Sequence, residues 1–300
     1  MRYALYLGCT IPGRVLNYEI SARRVAEGLG IELVDIGDFA CCGFPVKAVN
    51  RHAALLMAAR NLILAEENGL NICTLCSACT GMLTEANREL RENTDLALRL
   101  NQGVMESTGR RYHGRVEVKH FARVLYEDIG LGRIKERIVV DLSELNLAPH
   151  YGCHYLKPSD MYHHIEDPEN PESLDQLIEV TGAHSIHYEG ENQCCGGGIL
   201  AMDEETALAM TKGKLDHIKA AHGDAMVLIC PFCDIMYEFN QRRIERAFTT
   251  EFKLPVLFYP QILGLAMGIP PEELGLHLNR VKTRHLMERV FPSEERSSNQ

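Results

Sequence analysis

The feature that most constrains this chain is a cysteine pattern that occurs twice. Each copy contains a single cysteine, then a Cys-Cys-Gly triplet, then a Cys-x-x-Cys pair. The first copy consists of Cys9, Cys41, Cys42, Cys76 and Cys79, and the second of Cys153, Cys194, Cys195, Cys230 and Cys233. Between triplet and pair lie 32 residues in the first copy (44–75) and 33 in the second (197–229). Such a repeat predicts two copies of one structural unit.

Short β-rich segments alternate with helical patterns around each copy. The predicted strands of the first half are Tyr3–Leu7, Ile31–Ile36, Asn71–Leu75 and Val116–Phe121. Apolar residues recur at helical spacing from Val15 to Leu29, and Asn50 is a candidate N-cap for the next helix. We therefore predict an α/β fold with two tandem, pseudo-twofold related domains, each built from a small parallel sheet and crossover helices. A boundary near Leu145 divides the chain into 1–145 and 146–300, the latter with a polar C-terminal tail.

The predicted strands place the cysteines at one edge of each sheet. Cys9, Cys41-Cys42 and Cys76 each follow a predicted strand. In an open α/β sheet the loops at the carboxyl ends of the strands converge, and binding sites form there. Three loops that are distant in sequence are therefore expected to bring five thiols together in each half.

The composition restricts what these thiols can be. Only eight residues precede Cys9, which is too short for a signal peptide, so we predict a cytoplasmic protein with reduced thiols. Eleven cysteines in such a chain indicate metal binding or redox chemistry. The net charge of −10 argues against a nucleic-acid partner. No apolar run approaches the roughly 20 residues that span a bilayer.

The thiol arrangement favours an iron–sulfur cluster in each half. A structural zinc ion takes four ligands, whereas each copy offers five, including an adjacent pair that suits two irons of a larger cluster. Zinc and plain thiols remain alternatives, as does a glutaredoxin-type redox pair at Cys230 and Cys233. The glycine after each pair is interpreted as allowing close approach of the backbone to a cluster. Cys73, the eleventh cysteine, is interpreted as a buried strand residue.

Several histidines lie near the second copy. His150, His154, His163 and His164 flank Cys153 in sequence. We interpret them as exposed or hydrogen-bonded histidines without a role in the chemistry, although a substrate or proton-transfer role for His154 is an alternative.

The two five-cysteine copies resemble the CCG domain, and a chain made of little else resembles the B subunit of heterodisulfide reductase. The similarity extends from about Met1 to Gly268. The resemblance implies two [4Fe–4S] clusters of a non-cubane type, one per domain. One would be held by Cys9, Cys41, Cys42, Cys76 and Cys79, and the other by Cys153, Cys194, Cys195, Cys230 and Cys233.

The resemblance also implies an activity and partners. The chain would be the catalytic subunit that reduces the heterodisulfide of coenzyme M and coenzyme B, or a related small disulfide, with both clusters near the domain interface. Electrons would come from a ferredoxin-like iron–sulfur subunit and a flavin-containing subunit of the same complex, because no G-x-G-x-x-G motif follows a strand here. One alternative is a non-catalytic electron-relay subunit of another anaerobic oxidoreductase complex, and another is a zinc-stabilised interaction protein.

Overall fold

A computed structural model describes residues 1–92, 94–162 and 165–291, and within them the chain forms two four-stranded parallel sheets. The strand order is β2-β1-β3-β4 in the first sheet and β6-β5-β7-β8 in the second. The same order in both sheets confirms the predicted α/β fold with two tandem units. Residues 163, 164 and 292–300, which include two of the histidines and the end of the predicted polar tail, lie outside the described residues.

The strands are short. In the first sheet they are β1 (Arg2–Tyr6), β2 (Glu32–Asp35), β3 (Asn71–Thr74) and β4 (Val118–His120). In the second they are β5 (Asn146–His150), β6 (His184–Ser185), β7 (Ala225–Leu228) and β8 (Val256–Phe258). The central strands are almost completely buried, as expected for a parallel sheet covered by helices on both faces.

The strands of the first half lie where the sequence predicts them, with ends that differ by one or two residues. The last one ends early for a physical reason. The Nδ1 atom of His120 accepts a hydrogen bond of 3.1 Å from the backbone N–H of Ala122, so a helical turn begins at Phe121. The backbone of Phe121 therefore leaves the sheet although its side chain is buried.

Helices cover both sheets. Those of the first half are α1 (Thr10–Arg14), α2 (Leu16–Gly28), α3 (Arg51–Glu67), α4 (Ser77–Arg91), α5 (Asp95–Thr108), α6 (Phe121–Arg123) and α7 (Leu131–Lys135). Those of the second are α8 (Cys153–Leu156), α9 (Ser173–Glu179), α10 (Glu204–Ala220), α11 (Pro231–Asp234), α12 (Gln241–Phe248), α13 (Tyr259–Ala266) and α14 (Arg284–Val290).

The N-caps of α3 and α10 show how closely the two halves correspond. The side chain of Asn50 accepts a hydrogen bond of 3.0 Å from the N–H of Ala53, which confirms the predicted cap. Asp203 accepts an equivalent bond of 3.0 Å from the N–H of Thr206. Each cap residue is seven positions after the glycine of its Cys-Cys-Gly triplet. The triplet and the following helix therefore form one repeated structural unit.

The halves share a buried interface. Tyr18 of α2 stacks on Phe258 of the second sheet, with ring centroids 4.0 Å apart. Its hydroxyl donates a hydrogen bond of 3.0 Å to the carbonyl of Ile229, the residue before Cys230. The side-chain amide of Asn17 bonds the buried Asn279 at 3.1 Å. The two sheets lie on either side of the boundary proposed near Leu145, and one of these contacts, from Tyr18 to Ile229, reaches the loop that carries Cys230.

Candidate metal centres

Each cysteine of the duplicated pattern lies at the carboxyl edge of its sheet. Cys9 follows β1 and precedes α1, and Cys76 follows β3 and is the N-cap of α4. Cys153 and Cys230 take the corresponding positions after β5 and β7. The adjacent pairs lie in the loops after β2 and β6.

The five thiols of the first half form a connected set. The side chain of Cys42 interacts with those of Cys41 and Cys79. Cys79 interacts in turn with Cys76, and Cys41 with Cys9. The thiols thus follow one another in the order Cys9, Cys41, Cys42, Cys79, Cys76. We call these five residues the first thiol set.

The second half repeats this arrangement with its own five residues. Cys194 interacts with Cys153 and Cys195, and Cys233 interacts with Cys195 and Cys230. The order is therefore the same as in the first half, and we call these five residues the second thiol set. Among the described residues no group of three or more His, Cys, Asp or Glu side chains is arranged to hold a single metal ion.

The sets run from the surface to the interface between the halves. Cys9, Cys153 and Cys194 are exposed and Cys41 is half-buried, whereas the other thiols of both sets are buried. The buried thiols of Cys76 and Cys230 interact with each other. These two residues are equivalent in the repeat, and contact between equivalent residues is what a twofold axis between the halves requires. The two sets therefore adjoin at their buried ends.

Backbone amides favour the thiolate form of Cys41 and Cys194, although burial raises the pKa of Cys41 overall. Gly43 N–H donates to Cys41 Sγ at 3.5 Å, and Gly196 N–H donates to Cys194 Sγ at 3.4 Å. Hydrogen bonding from the thiol of Cys79 lowers the pKa of Cys42 to about 7. The thiol of Cys153 likewise holds the pKa of Cys194 far below its usual range. Thiolates are the form that binds a metal.

Buried polar groups next to the second set lack partners. Within the described chain, His150 Nε2, Tyr237 Oη and Ser77 Oγ are buried and make no hydrogen bond. The charge of Cys194 acts on both His150 and Tyr237. Ser77 Oγ lies near Cys230, because a Cβ atom on Gly152 would be 3.3 Å from Ser77 Oγ and 3.4 Å from Cys230 Cβ. Unpaired buried donors are rare. Sulfide or thiolate acceptors of a bound cluster would satisfy them, so the residues present fit a cluster held by thiolates.

The glycine after each cysteine pair has a packing role that the sequence did not indicate. A Cβ atom on Gly43 would lie 2.6 Å from the carbonyl oxygen of Ala54 in α3, and one on Gly196 would lie 2.8 Å from that of Ala207 in α10. Both glycines have left-handed φ angles, +89° and +83°. The backbone that approaches each glycine is that of the following helix, and the expectation that these glycines also allow close approach to a cluster stays a prediction.

His154 lies between the two halves. Its ring packs edge-on against Phe44 of the first half, with centroids 4.8 Å apart, and its Nδ1 atom is 3.8 Å from Cys153 Sγ. Desolvation lowers the pKa of this imidazole. His150 is 2 % exposed, and it is hydrogen-bonded at Nδ1 by Lys214 but has no partner at Nε2 within the described chain, so the interpretation of the nearby histidines as exposed or hydrogen-bonded holds for one of its two ring nitrogens.

Cys73 lies apart from both thiol sets. It is completely buried in β3, opposite Leu5 of β1, and desolvation raises the pKa of its thiol far above the usual range. The charge of Asp128 also raises this pKa, and no other cysteine contributes to it.

Replacing Cys73 by alanine is therefore expected to leave the iron content and the visible spectrum unchanged. The free energy of unfolding should fall by about 1 kcal/mol, since a small buried side chain is lost. Iron analysis and denaturant titration check this. Loss of a cluster in this variant would show that Cys73 is a ligand.

Comparison with known proteins places this arrangement in a class. The family model for the CCG cysteine-rich domain matches residues 3–84 and 147–238, which contain the two thiol sets. The fold is similar to that of a hypothetical protein from Helicobacter pylori, with a TM-score of 0.74 at 18% identity over 94% of this chain. The chain covers about half (52%) of that protein.

Relatives that match along nearly their whole length narrow the class. The chain is 34% identical to the B subunit of the ferredoxin:CoB-CoM heterodisulfide reductase of Methanosarcina mazei, over 97% of both chains. It is 36% identical to a protein of Archaeoglobus profundus that is named as similar to the heterodisulfide reductase B subunit, over 92% of this chain and 93% of that one. It is also 31% identical to the 8-methylmenaquinol:fumarate reductase membrane anchor subunit of Wolinella succinogenes, over 95% and 98%.

The chain belongs to the family of heterodisulfide reductase B subunits, with two CCG cysteine-rich domains. It is an iron–sulfur, electron-transfer subunit of an oxidoreductase complex of the heterodisulfide reductase type. Across residues 1–92, 94–162 and 165–291, none of the helices has the length and apolar character needed to cross a membrane.

Proposed function

We propose that this chain is the subunit that reduces a disulfide, either the coenzyme M–coenzyme B heterodisulfide or a related small disulfide. The first thiol set would hold one [4Fe–4S] cluster of the non-cubane type in 1–145, and the second set would hold another in 146–300. Relatives that are 34% identical over 97% of the chain and are named as the B subunits of such reductases support this proposal.

The observation that carries the proposal is the adjacency of the two thiol sets. Breaking a disulfide requires two electrons and two protons, and it yields two thiols as the S–S bond opens. Iron–sulfur clusters, when bound, supply electrons one at a time. Two sets that adjoin at Cys76 and Cys230 would bring both electrons within reach of one substrate. Each set also has an exposed end, Cys9 in the first and Cys153 and Cys194 in the second.

The proposed partners are a ferredoxin-like iron–sulfur subunit and a flavin-containing subunit, in the cytoplasm. The sequence offers no G-x-G-x-x-G motif after a strand, so electrons from a flavin would have to arrive through another chain. Two equivalent apolar side chains, Val49 and Met202, are 91% and 88% exposed beside the cysteine loops and suit burial against a partner.

A relay role is the second candidate. The Wolinella relative, which this chain covers over 98% of its length, is named as part of a fumarate reductase that uses a quinol. In a complex of that kind the clusters would pass electrons between other subunits, and no disulfide would react at this chain.

A steady-state assay on the intact complex separates the two candidates. Reduced viologen is oxidised under anaerobic conditions with a small disulfide, with its thioether analogue, or with fumarate. The proposal predicts dye oxidation with the disulfide only, at one S–S bond cleaved per two dye molecules. Oxidation with fumarate but not with the disulfide, in a complex that retains its iron, would favour the relay role.

A further inference from the structure

The two halves repeat the same backbone, but their thiol sets have different surroundings. Among the buried positions that differ when the halves are aligned on their cysteines are the following three. Three residues before the single cysteine stand Tyr6 in the first half and His150 in the second. Eighteen residues after the triplet glycine stand Asn61 and Lys214. Four residues after the last cysteine stand Leu83 and Tyr237. All six side chains are buried, with at most 2 % exposed.

Lys214 brings a positive charge to the second set. Its ammonium group donates to the carbonyl oxygens of Glu191 at 2.8 Å and Gln193 at 2.7 Å, and it lies 3.2 Å from His150 Nδ1. Gln193 directly precedes Cys194, so the charge lies against the cysteine loop. Three acceptors match the three N–H donors of a lysine ammonium. Burial lowers the pKa of Lys214 to about 8, although the thiolates of Cys233, Cys195 and Cys194 oppose this effect.

The corresponding position in the first half is neutral. The amide of Asn61 accepts from Ala40 N–H at 2.9 Å and donates to the carbonyl of Cys41 at 3.4 Å. Asn61 therefore holds the loop that is equivalent to the one held by Lys214, but it carries no charge. The hydroxyl of Tyr6 is also occupied, because it donates to the carbonyl of Ala40 at 2.5 Å.

The second set also has unused donors. Since Lys214 donates to Nδ1 of His150, the proton of this neutral imidazole is on Nε2, which has no partner in the described chain. Tyr237 packs against His150, with ring centroids 5.0 Å apart, and its hydroxyl is likewise unpaired there. Leu83, the equivalent of Tyr237, has no polar atom to offer.

One acidic side chain near the second set could offset the positive charge of Lys214. Asp234 follows Cys233 and is buried, with Thr80 as its equivalent. Within the described residues, however, the partners of Lys214 are His150 and two backbone carbonyls, and it makes no ion pair with Asp234 or another carboxylate. The second set therefore has beside it a buried ammonium group that the equivalent position of the first set lacks.

We propose that Lys214, His150 and Tyr237 set the second cluster at a higher reduction potential than the first, so that the first electron delivered to the chain resides in the second half. This inference rests on the proposed function, which assigns one cluster to each set. The potential of an iron–sulfur cluster rises with nearby positive charge, with hydrogen bonds to its sulfurs and with solvent exposure. The first two favour the second set, because Lys214 brings a buried positive charge and because His150 Nε2 and Tyr237 Oη are buried donors without a partner in the described chain.

The test is an anaerobic redox titration of the full chain with dithionite, followed by electron paramagnetic resonance. We expect two one-electron steps at different potentials in the wild type. Lys214→Met should weaken reduction of the higher-potential cluster at least tenfold, which is about 59 mV for one electron, and leave the other unchanged. Repeating the titration in a Cys42→Ser background, which retains only the second cluster, identifies which cluster moves.

Two further variants keep the test decisive. Lys212 is in the same helix as Lys214 and forms an ion pair with Asp216 at 2.6 Å. Lys212→Met should therefore change the reduction potential of neither cluster. Tyr237→Phe removes only the unpaired hydroxyl, so it should fold and should lower the same potential even if Lys214→Met loses its cluster. Equal reduction potentials of the two clusters in the wild type would overturn this inference but not the proposed function. So would an unchanged potential of the second cluster in both Tyr237→Phe and Lys214→Met when these variants retain their iron. A wild-type chain without iron would overturn the proposed function as well.

Discussion

Replacing Cys42 by serine is expected to halve the iron content of the chain, from about eight irons to about four. Cys42 is buried in the middle of the first thiol set and interacts with both Cys41 and Cys79, so no other thiol can take its place. The second set is built from different loops and keeps its five thiols. The spectrum of the remaining cluster should therefore resemble that of its wild-type counterpart.

The mirror variant provides the matched control. Cys195 has the same central position in the second set, between Cys194 and Cys233. Cys195→Ser should also lose about half of the iron, but the surviving cluster should be the other one, with a distinct paramagnetic signal. Full iron content in either variant would contradict the five-cysteine assignment. Loss of all iron in both would show that the halves do not assemble their clusters independently.

Substituting alanine for Gly43 or Gly196 is expected to destabilise the corresponding half severely. The left-handed backbone alone costs about 1–2 kcal/mol for a residue with a Cβ atom. The added atom would also lie 2.6 Å or 2.8 Å from a carbonyl oxygen of α3 or α10, which a helix backbone cannot avoid by a side-chain rotation. Together the free energy of unfolding should fall by about 2–5 kcal/mol, with loss of the adjacent cluster.

Gly198 is the control for this prediction. It lies two residues after Gly196, and a Cβ atom on it would meet nothing within 4 Å. Gly198→Ala should therefore retain its iron and its denaturation midpoint. If Gly43→Ala and Gly196→Ala behaved like Gly198→Ala, the close packing of the triplet on its helix would not be a structural requirement.

Much of the fold could be predicted because the sequence contains two copies of one structural unit. Each half alone shows only a weak alternation of strand and helix. Because the cysteine spacing aligns the two halves, the agreement between their alternations supports the predicted α/β fold. Local chemistry then fixed several ends, as with Asn50, whose side chain caps α3 as expected. The predicted grouping of thiols at the sheet edges followed from the topology of parallel strands.

The relations between the halves could not be predicted in this way. The interaction of Cys76 with Cys230 depends on how two units dock, and the docking contacts, such as Tyr18 with Phe258, join residues far apart in sequence. The packing of Gly43 against α3 was also missed, because from sequence alone a glycine at this position can be explained by the close approach of any neighbouring group. Only the structure shows that the approaching backbone is that of α3.

A signal for the asymmetry was nevertheless present in the sequence. Aligning the repeats on their cysteines places Lys214 over Asn61 and Tyr237 over Leu83. A lysine within a helix is ordinarily solvated, so its burial could not be expected from composition. A charged residue at a position that is neutral in the other copy is a departure from the repeat, and such departures indicate where two similar sites differ in chemistry.

The most direct measurement of the central claim is metal and sulfide analysis of the full chain purified without oxygen. The assignment of one [4Fe–4S] cluster to each thiol set predicts about eight irons and about eight acid-labile sulfides per chain, with little zinc. About two zinc ions and little iron would contradict it, since zinc is the alternative for sites rich in thiolates. About four irons, with the wild-type spectrum abolished by Cys42→Ser but not by Cys195→Ser, would show that only the first half holds a cluster.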